Sequence, residues 1–279
     1  MLKSLARDAY DAFLEYRLSP SEVPRHVAVI QDGNRRYARS EGENRTEGHE
    51  MGAETTEAVL DWAYDVGVEE MTLYALSTEN LEREEDELED LFDIIADKLD
   101  ELAESEKIHD RGVRVSGIGD LDRLPERVRD ALRRVEEATE GYGRHRLNIA
   151  LAYGGREEIV EAARRIAHDV EEGTVSPDDV DVSAVSSRLR LGADVDLLVR
   201  TGGERRLSNF VPWQARGAGS DVYFCDAYWP GFKRRQFLKA IESYSADAEE
   251  TDDAGFVGSE RSAPFRKPKA KANKEGPAD

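Results

Sequence analysis

The sequence lacks the features of a secreted or membrane-spanning protein. It has a single cysteine, Cys225, which excludes an internal disulfide and agrees with a reducing cytosol. No apolar run approaches the roughly 18 residues that a transmembrane helix requires. Met1–Tyr16 carries acidic residues and no uninterrupted apolar core, so it is not a signal peptide. These absences predict a cytoplasmic protein.

Positive charge is also scarce. Asp and Glu number 60 against 39 Lys and Arg, which gives a formal net charge of −21. Such a surface repels nucleic acid and anionic membranes, so we expect neither as a primary partner. An acidic surface suits a protein that stays soluble in concentrated salt, where its self-repulsion is screened. We interpret the charge as halophilic adaptation, which says little about the chemistry of the protein.

Several common catalytic motifs are missing. The chain has no Gly-x-x-x-x-Gly-Lys-Ser/Thr loop and no Gly-x-Gly-x-x-Gly after a strand. It has no Gly-x-Ser-x-Gly motif, which argues against an α/β-hydrolase. No Cys/His cluster has zinc spacing. The function has to be found in other residues.

Six short apolar runs that alternate with helical patterns predict an α/β fold. Strands that are apolar throughout and separated by helices indicate a single domain with a central parallel sheet of about six strands, flanked by helices on both faces. The predicted strands are His26–Ile30, Met71–Leu76, Val113–Ile118, Leu147–Ala152, Val195–Val199 and Val222–Cys225. Helical spacing marks Gly48–Val66, Glu84–His109, the region of Val128–Val135 and the region of Ile159–Ile166.

Composition divides the chain into three parts. Residues 1–24 carry apolar residues at helical spacing and predict an N-terminal helix. Residues 25–246 form the predicted folded domain, in which the strands and helices alternate. Residues 247–279 begin with an acidic run and end in a segment rich in Lys, Ala and Pro with little to bury, so we predict a mobile charged tail.

A polar cluster follows the first predicted strand, where ligands bind in parallel sheets. In Asp32-Gly33-Asn34-Arg35-Arg36, glycine lets the backbone approach a ligand and Arg36 offers a planar fork for a diphosphate. Asp32 is a natural Mg²⁺ ligand, since Mg²⁺ commonly uses one or two carboxylates with substrate phosphates. An Asp-Gly turn with surface arginines explains the same residues, and the cluster alone does not decide between the two.

Three further clusters follow in the chain. Arg45 and His49 lie near the start of a helix, which favours an anion, although exposed polar residues are the simpler interpretation of that pair. Ser77–Arg83 follows the second strand, and Ser77 or Asn80 could equally be a helix N-cap. Arg200–Asn209 places three arginines around a Gly-Gly step, and Asp221 later offers a second carboxylate. An acidic protein that concentrates arginine at several strand ends indicates a diphosphate site.

These blocks together resemble the cis-prenyltransferases, the undecaprenyl and dehydrodolichyl diphosphate synthases. The similarity covers roughly residues 25–240, with the blocks in family order. The matching blocks are His26–Ala38, Arg45 with Gly48-His49, Leu73–Asn80, Leu147–Ala150, Tyr153–Arg156, Asp196–Glu204, Ser208–Phe210, Trp213-Gln214, Tyr223-Phe224 and Trp229-Pro230.

The resemblance implies an enzyme that condenses isopentenyl diphosphate onto an allylic diphosphate such as farnesyl or geranylgeranyl diphosphate, giving a long-chain polyprenyl diphosphate for lipid-carrier synthesis. It implies a Mg²⁺ requirement, a hydrophobic tunnel, a homodimer and peripheral contact with the inner face of the membrane through the product. By matched position, Asp32 and Asn80 are catalytic, and Asp32 and Asp221 hold the metal. The implied substrate-binding residues are Gly33, Asn34, Arg35, Arg36, Tyr37, Arg45, His49, Ser77, Thr78, Glu79, Arg83, Arg200, Arg206, Leu207 and Ser208.

Some positions depart from the family pattern. Gln31 stands where Met is usual, and Leu81 where an aromatic residue is usual. Asp221 replaces a Glu and follows two extra residues, and the C-terminal Arg-x-Gly of the family has no clear counterpart. A rival hypothesis, a non-catalytic paralogue that binds polyprenyl diphosphate or partners an active subunit, rests on these departures. A third hypothesis is a nucleotide-binding protein, but the chain has no sequence fingerprint of a nucleotide-binding fold.

Overall fold

The computed structural model describes residues 23–216 and 220–253 of the chain. Its framework is one six-stranded sheet with the order β3-β4-β2-β1-β5-β6, and every pairing in it is parallel. The prediction of an α/β fold around about six parallel strands is therefore confirmed. The strands are β1 (His26–Ile30), β2 (Glu70–Tyr74), β3 (Val113–Ile118), β4 (His145–Ala150), β5 (Leu197–Arg200) and β6 (Asp221–Phe224).

Three strands end earlier than their apolar runs predicted, β6 by one residue and β2 and β4 by two. The run that predicts the second strand continues to Leu76, and the one for the fourth continues to Ala152, although β2 and β4 end two residues sooner. Most of these extra residues are buried in loops, with Leu76 fully inside and Ala152 almost so, whereas Ala75 is half-buried. Apolar composition therefore reports burial here, and it does not mark the end of the hydrogen-bonded ladder.

The helices lie between the strands, and a long predicted helix is divided. A prediction of one helix over Glu84–His109 is wrong at Ser105, whose backbone is extended, with φ −69° and ψ 112°. The helices are α1 (Asn34–Glu41), α2 (Arg45–Val66), α3 (Glu85–Glu104), α4 (Glu106–Arg111), α5 (Glu126–Thr139), α6 (Gly155–Glu171), α7 (Val182–Ser186) and α8 (Arg234–Asp253).

A capping box fixes the start of α2. The Asn44 side chain accepts a hydrogen bond from the Glu47 amide (3.0 Å), and the Glu47 carboxylate accepts one from the Asn44 amide (3.1 Å). The helix therefore begins at Arg45, three residues before the predicted Gly48. This start places Arg45 and His49 in the first two turns of α2.

The sheet is covered on both faces, as alternation along β1 demonstrates. Val27 and Val29 belong to one buried cluster, whereas Ala28 and Ile30 belong to a second on the opposite face. β1 lies between β2 and β5, and Ile30 is in register with both Tyr74 and Arg200. The carboxyl ends of β2, β1 and β5 therefore lie side by side. The strand order changes direction at β1, and ligands bind at such a point in parallel sheets.

The predicted end segments fall largely outside the described residues. Most of the N-terminal helix predicted over 1–24 lies there, as does 254–279 of the predicted tail. The tail boundary at 247 needs correction, because α8 continues through Asp253. Ala and Glu in that acidic run favour a helix, and no Gly or Pro interrupts it before Gly255. In the described part of the chain, no helix is long and apolar enough to cross a membrane.

Candidate active site

Asp32 lies just beyond β1 and is held between two guanidinium groups. Its Oδ1 accepts from Arg36 Nη2 at 3.0 Å, and its Oδ2 accepts from Arg200 Nη2 at 2.8 Å. Thr201 fixes the backbone of Asp32, because its hydroxyl donates to the Asp32 carbonyl at 2.8 Å and lies 3.0 Å from the Asp32 amide. The carboxylate is therefore oriented from both β1 and β5.

The predicted Gly33–Arg36 loop is the start of a helix. Gly33 has φ 109° and precedes α1, so Asn34, Arg35 and Arg36 form its first turn. A side chain at Gly33 would meet Tyr228, whose Cδ1 would lie 2.7 Å from an added Cβ. Gly33 thus combines a backbone conformation that favours glycine with a close approach to a neighbouring side chain.

Arg200 is the most buried cation of the site, with 3% of its side chain exposed. Its Nη1 donates to the Ser208 hydroxyl and the Arg206 carbonyl, and its Nε is buried without a hydrogen-bond partner. Ser208 and Asn209 both have positive φ, at 49° and 58°. The loop after β5 is therefore folded back tightly over the Arg200 guanidinium.

A buried carboxylate, Glu87, gathers the other cations. It is 6% exposed, and it accepts from Arg83 Nη1 at 2.9 Å and from Arg35 Nη1 at 3.3 Å. Arg45 Nη1 lies 3.8 Å from the same carboxylate, and His49 Nε2 lies 4.0 Å away. Arg45 lies nearer to Glu84, at 3.4 Å, so two carboxylates hold three arginines from three different segments, which leaves a surplus of positive charge.

His49 is neutral in this setting. Burial lowers its pKa to about 4, and the nearby Arg83 adds to that effect. Its Nδ1 lies 3.5 Å from Asn34 Nδ2, while His49 Nε2 and Asn34 Oδ1 are buried without hydrogen-bond partners. Both residues line the cavities, so Asn34 Oδ1 can accept a hydrogen bond from a bound polar group, and His49 Nε2 can accept or donate one according to its tautomer.

Ser77 and Asn80 cap a short turn after β2. The Ser77 amide donates to Asn80 Oδ1, and the Asn80 amide donates to the Ser77 hydroxyl, both at 3.1 Å. Burial opposes charge on Glu79, but hydrogen bonds from its own backbone, Ser77 and Asn209 lower its pKa overall. Glu79 is therefore ionised at neutral pH. Thr78 lies in the same turn, with its hydroxyl 3.4 Å from Glu79 Oε2.

Two cavities meet at these residues. A polar cavity of about 580 Å³ and an apolar cavity of about 380 Å³ lie side by side. Five residues line both of them, namely Gln31, Asn34, His49, Ala75 and Leu91. Of the predicted site residues, the polar cavity is lined by Asp32, Asn34, His49, Ser77, Glu79, Asn80, Arg83, Arg200 and Ser208.

Other predicted residues lie outside that lining. The Arg206 side chain is 65% exposed and bound to Glu204 at 2.6 Å. Leu207 packs on the second buried cluster, and Tyr37 lies against Gly231, 3.3 Å from the position of a Cβ added there. Arg35 and Arg45 reach the site only through Glu87.

Asp221 is not brought to Asp32 within the chain. It opens β6 and is in register with Leu197, at the amino end of β5, whereas Arg200 is in register with Phe224. Three residues of a parallel strand span about 10 Å, so Asp221 lies at the opposite edge of the sheet from Asp32. The two carboxylates therefore do not meet within the chain, and their shared role as metal ligands stays a prediction. In the described residues, no group of three or more His, Cys, Asp or Glu is gathered as a metal site.

Several lining residues were not predicted from the sequence. Gln31 donates to the Thr56 hydroxyl at 2.6 Å, and Asn209 donates to Glu157 at 3.0 Å. Arg156 stands in the first turn of α6 and lines the polar cavity. The Tyr-Gly-Gly-Arg block was a signal for Arg156, since glycines before a helix start allow a ligand to approach. Glu87 gave no comparable signal.

Comparisons with known proteins agree with this arrangement. A family model described as "Putative undecaprenyl diphosphate synthase" matches residues 30–251. The tritrans,polycis-undecaprenyl-diphosphate synthase (geranylgeranyl-diphosphate specific) of Halobacterium salinarum is 51% identical over 246 residues, which cover 86% of this chain and 81% of that protein. The Haloarcula marismortui protein of the same name is 48% identical over 244 residues, covering 87% and 80%.

Among solved structures, the lavandulyl diphosphate synthase of Lavandula x intermedia, in complex with dimethylallyl diphosphate, has a TM-score of 0.74 and 36% identity. The match covers 81% of this chain and 96% of that one. A probable undecaprenyl diphosphate synthase of Campylobacter jejuni has a TM-score of 0.65 and 31% identity, with 79% and 94% covered.

Proposed function

Because the chain belongs to the undecaprenyl diphosphate synthase family of cis-prenyltransferases, we propose that it extends geranylgeranyl diphosphate with isopentenyl diphosphate. Cis-prenyl chain elongation is the activity of its relatives, and the resemblance identified from the sequence is confirmed. The preference for geranylgeranyl diphosphate is taken from the names of the archaeal relatives. The observation that carries the proposal is a cation-lined polar cavity that opens into an apolar one.

The allylic diphosphate binds beside Asp32 in this proposal. Amides at the start of α1 and the Arg36 guanidinium face that position, and helix N-termini favour anions. The cations gathered on Glu87 supply further positive charge, and neutral His49 offers a hydrogen bond. The allylic chain lies in the apolar cavity, which begins at Gln31, Asn34 and His49.

Isopentenyl diphosphate binds on the β5 side. Arg200 and Ser208 line the polar cavity there, and the unpartnered Arg200 Nε is available to a phosphate oxygen. Arg206 and Leu207 belong to the same loop, and Arg206 positions Arg200 through its carbonyl. In the reaction, the carbon–oxygen bond of the allylic diphosphate breaks, a carbon–carbon bond to isopentenyl diphosphate forms, and one proton is lost.

Asn80 orients a substrate in this scheme and does not act as the base. Its Oδ1 already accepts from the Ser77 amide, and an amide is a poor base by pKa. A phosphate oxygen of the diphosphate is the better proton acceptor. Arg83 and Ser77 line the same cavity wall and hold the substrates close to each other.

Asp32 suits a Mg²⁺ ion. Its carboxylate is 29% exposed to the polar cavity, and each oxygen retains lone-pair capacity beyond its guanidinium bond. Mg²⁺ is commonly held by one or two carboxylates together with substrate phosphates, and a single carboxylate beside a diphosphate meets that requirement. When bound, the ion neutralises charge on the leaving diphosphate. Arg36 and Arg200 keep the carboxylate aimed at it.

The exposed edge of the sheet and the surface charge bear on the oligomeric state and the cellular location. β6 forms one edge of the sheet in the described residues, and Val222 on it is 38% exposed. An edge strand can pair with a second chain, which supports a homodimer. We place the enzyme in the cytoplasm, with peripheral contact at the inner face of the membrane through its apolar product. The acidic surface supports a halophilic setting.

A product analysis tests this function. The purified protein is incubated with Mg²⁺, high salt and labelled isopentenyl diphosphate, with geranyl, farnesyl or geranylgeranyl diphosphate as primer. We expect elongated product, with the highest kcat/KM for geranylgeranyl diphosphate. Failure to elongate any of the three primers would refute catalysis and favour a binding paralogue.

A further inference from the structure

The apolar cavity has a charged wall at its distal end. Along α2 its lining runs from His49, shared with the polar cavity, to Tyr64, a rise of about 22 Å at 1.5 Å per residue. Leu60, Leu91, Ile95 and Leu99 make the middle of the cavity apolar. The charged lining residues begin beside this apolar stretch with Glu57 and Lys98 and continue beyond it with Asp61, Glu101, Lys107 and Arg111.

These charged residues pair across the junction of α2 with α3 and α4. Lys98 Nζ lies 3.0 Å from Glu57, Lys107 Nζ lies 2.6 Å from Asp61, and Arg111 Nη2 lies 2.8 Å from Asp65. The three acids are four residues apart and so lie on one face of α2. We call these six residues, Glu57, Asp61, Asp65, Lys98, Lys107 and Arg111, the cavity seam.

The seam joins two parts of the molecule that otherwise pack sparsely. α3 packs far more extensively on α5 than on α2, because the cavity lies between α2 and α3. Ion pairs also join α3 to α5, such as Arg127 with Glu89 and Asp93, but these residues line neither cavity. Ser105, where the helix breaks between α3 and α4, lies in the cavity lining between Lys98 and Lys107.

We infer, on the basis of the proposed function, that the cavity seam determines the length of the polyprenyl product. A chain that grows from the polar cavity runs along α2 until its end meets the seam. Further growth must separate paired charges, and an apolar chain offers no group to replace either partner. Elongation slows at that point and the product leaves.

The limit that the cavity seam sets on product length depends on the salt concentration. Its members are partly exposed, from 28% for Asp61 to 71% for Lys107, and pairs of this kind are weak and are screened by ions. High salt therefore makes the seam easier to separate. Product length is expected to increase as the Debye length falls from about 10 Å at 0.1 M to about 3 Å at 1 M salt.

The first test compares product length in three proteins at low and high KCl. The double variant K98Q/K107Q removes two cations of the seam, and the matched control R127Q removes a cation that binds two acids on the α5 side of α3. We expect the wild type and R127Q to make longer products in high salt. K98Q/K107Q should make the longer products in both conditions, with its circular dichroism unchanged.

The second test measures binding and does not depend on turnover. Farnesyl and undecaprenyl diphosphates are titrated into each protein at low salt. K98Q/K107Q should bind undecaprenyl diphosphate roughly three- to tenfold more tightly than the wild type, with farnesyl diphosphate unchanged, if the pairs together resist the long chain. Equal affinity of all three proteins for the long chain, or an equal effect of R127Q, would overturn the inference. A wild type that elongates nothing would refute the proposed function, and the binding result would still decide the role of the seam.

Discussion

Asp32 and Glu87 are the two carboxylates around which the cations of the site are arranged. Asp32 joins Arg36 to Arg200, and Glu87 joins Arg83 to Arg35. A buried guanidinium without a partner is costly, so each carboxylate stabilises the cations that the substrates also need. In both places the protein uses few negative charges to hold a larger number of positive ones.

Glu87→Gln tests this arrangement. Loss of the buried charge should destabilise the protein by about 2–4 kcal/mol, because Arg83 and its neighbours would repel one another without compensation. Inorganic diphosphate should raise the thermal midpoint of Glu87→Gln more than that of the wild type, since an added anion replaces the carboxylate. Glu89→Gln is the control, because Glu89 is 55% exposed and pairs with Arg127. The same loss of stability in both variants would contradict the account.

His49 should give the stability a distinct pH dependence. Burial lowers its pKa to about 4, while the unfolded chain takes up that proton near pH 6.5. The stabilisation is therefore complete above pH 6.5 and is lost as the pH falls towards 4. Between pH 8 and pH 5, the wild type should lose about 2 kcal/mol more unfolding free energy than His49→Gln. Denaturant titrations of both proteins measure this, and parallel losses would argue against a buried neutral imidazole.

The position of some site residues in the fold could be predicted from the sequence, and that of others could not. Asp32 lies just after β1, Arg200 ends β5 and Ser208 lies in the loop after β5, so the fold class alone brings them to one edge of the sheet. Glu87 could not be recognised, because an acidic residue near a helix start usually binds solvent and only the tertiary structure brings three arginines to it. Asp221 opens a strand and so lies at the amino edge of the parallel sheet, and the pattern of strands alone could not place it beside Asp32.

At the scale of elements, the motif after β1 is a junction between a strand and a helix. Gly33 ends the extended segment with a positive φ, and Arg36 in the first turn of α1 donates to Asp32, which lines the polar cavity. The sequence predicted a diphosphate-binding loop here, whereas the structure begins a helix at Asn34, because two arginines and a tyrosine give no apolar helical pattern. The position of α1 follows from Gly33 and from its packing beside Tyr228.

A comparison of Gly33→Ala with Gly42→Ala separates the cost of a positive φ from the cost of a clash with a neighbouring side chain. Both glycines have positive φ, at 109° and 85°, but an added Cβ meets Tyr228 only at Gly33 and nothing at Gly42. We expect Gly42→Ala to cost about 1 kcal/mol and Gly33→Ala about 2–4 kcal/mol of unfolding free energy. Only Gly33→Ala should also lower turnover. Equal effects on stability and turnover would show that contact with Tyr228 is unimportant.

The remaining elements were predicted in type more accurately than in extent. β1 and β3 have the predicted bounds because Gln31 follows the first and Gly119-Asp120 the second, whereas buried loops extend the apolar runs of β2 and β4. The break at Ser105 was missed, since the apolar spacing continues through it and serine interrupts helices only weakly. That break matters because it lies in the wall of the apolar cavity.

For the whole molecule, the charge of −21 sets the conditions under which the fold is stable. Exposed ion pairs such as Arg127–Glu89 and Lys107–Asp61 offset little of this excess. Salt screens repulsion among the surplus carboxylates, and this effect outweighs the loss of weak surface pairs when one sign predominates.

Thermal unfolding in KCl tests the balance of these two effects. The midpoint should rise by several degrees between about 0.1 M and 1 M KCl, where the Debye length falls to about 3 Å. Sucrose at the same osmolality is the control for effects other than screening. A midpoint that falls with KCl would mean that the ion pairs dominate over the net repulsion.

The claim that Asp32 is the centre of a two-diphosphate site is tested most directly by single-turnover elongation with Asp32→Asn. Labelled isopentenyl diphosphate and geranylgeranyl diphosphate are supplied over a range of Mg²⁺ concentrations, with Asp100→Asn as the control because Asp100 pairs with Arg134 outside both cavities. The account predicts a rate at least about 100-fold below the wild type at every Mg²⁺ concentration for Asp32→Asn, with unchanged circular dichroism and a normal rate for Asp100→Asn. A rate for Asp32→Asn within a few-fold of the wild type would contradict it.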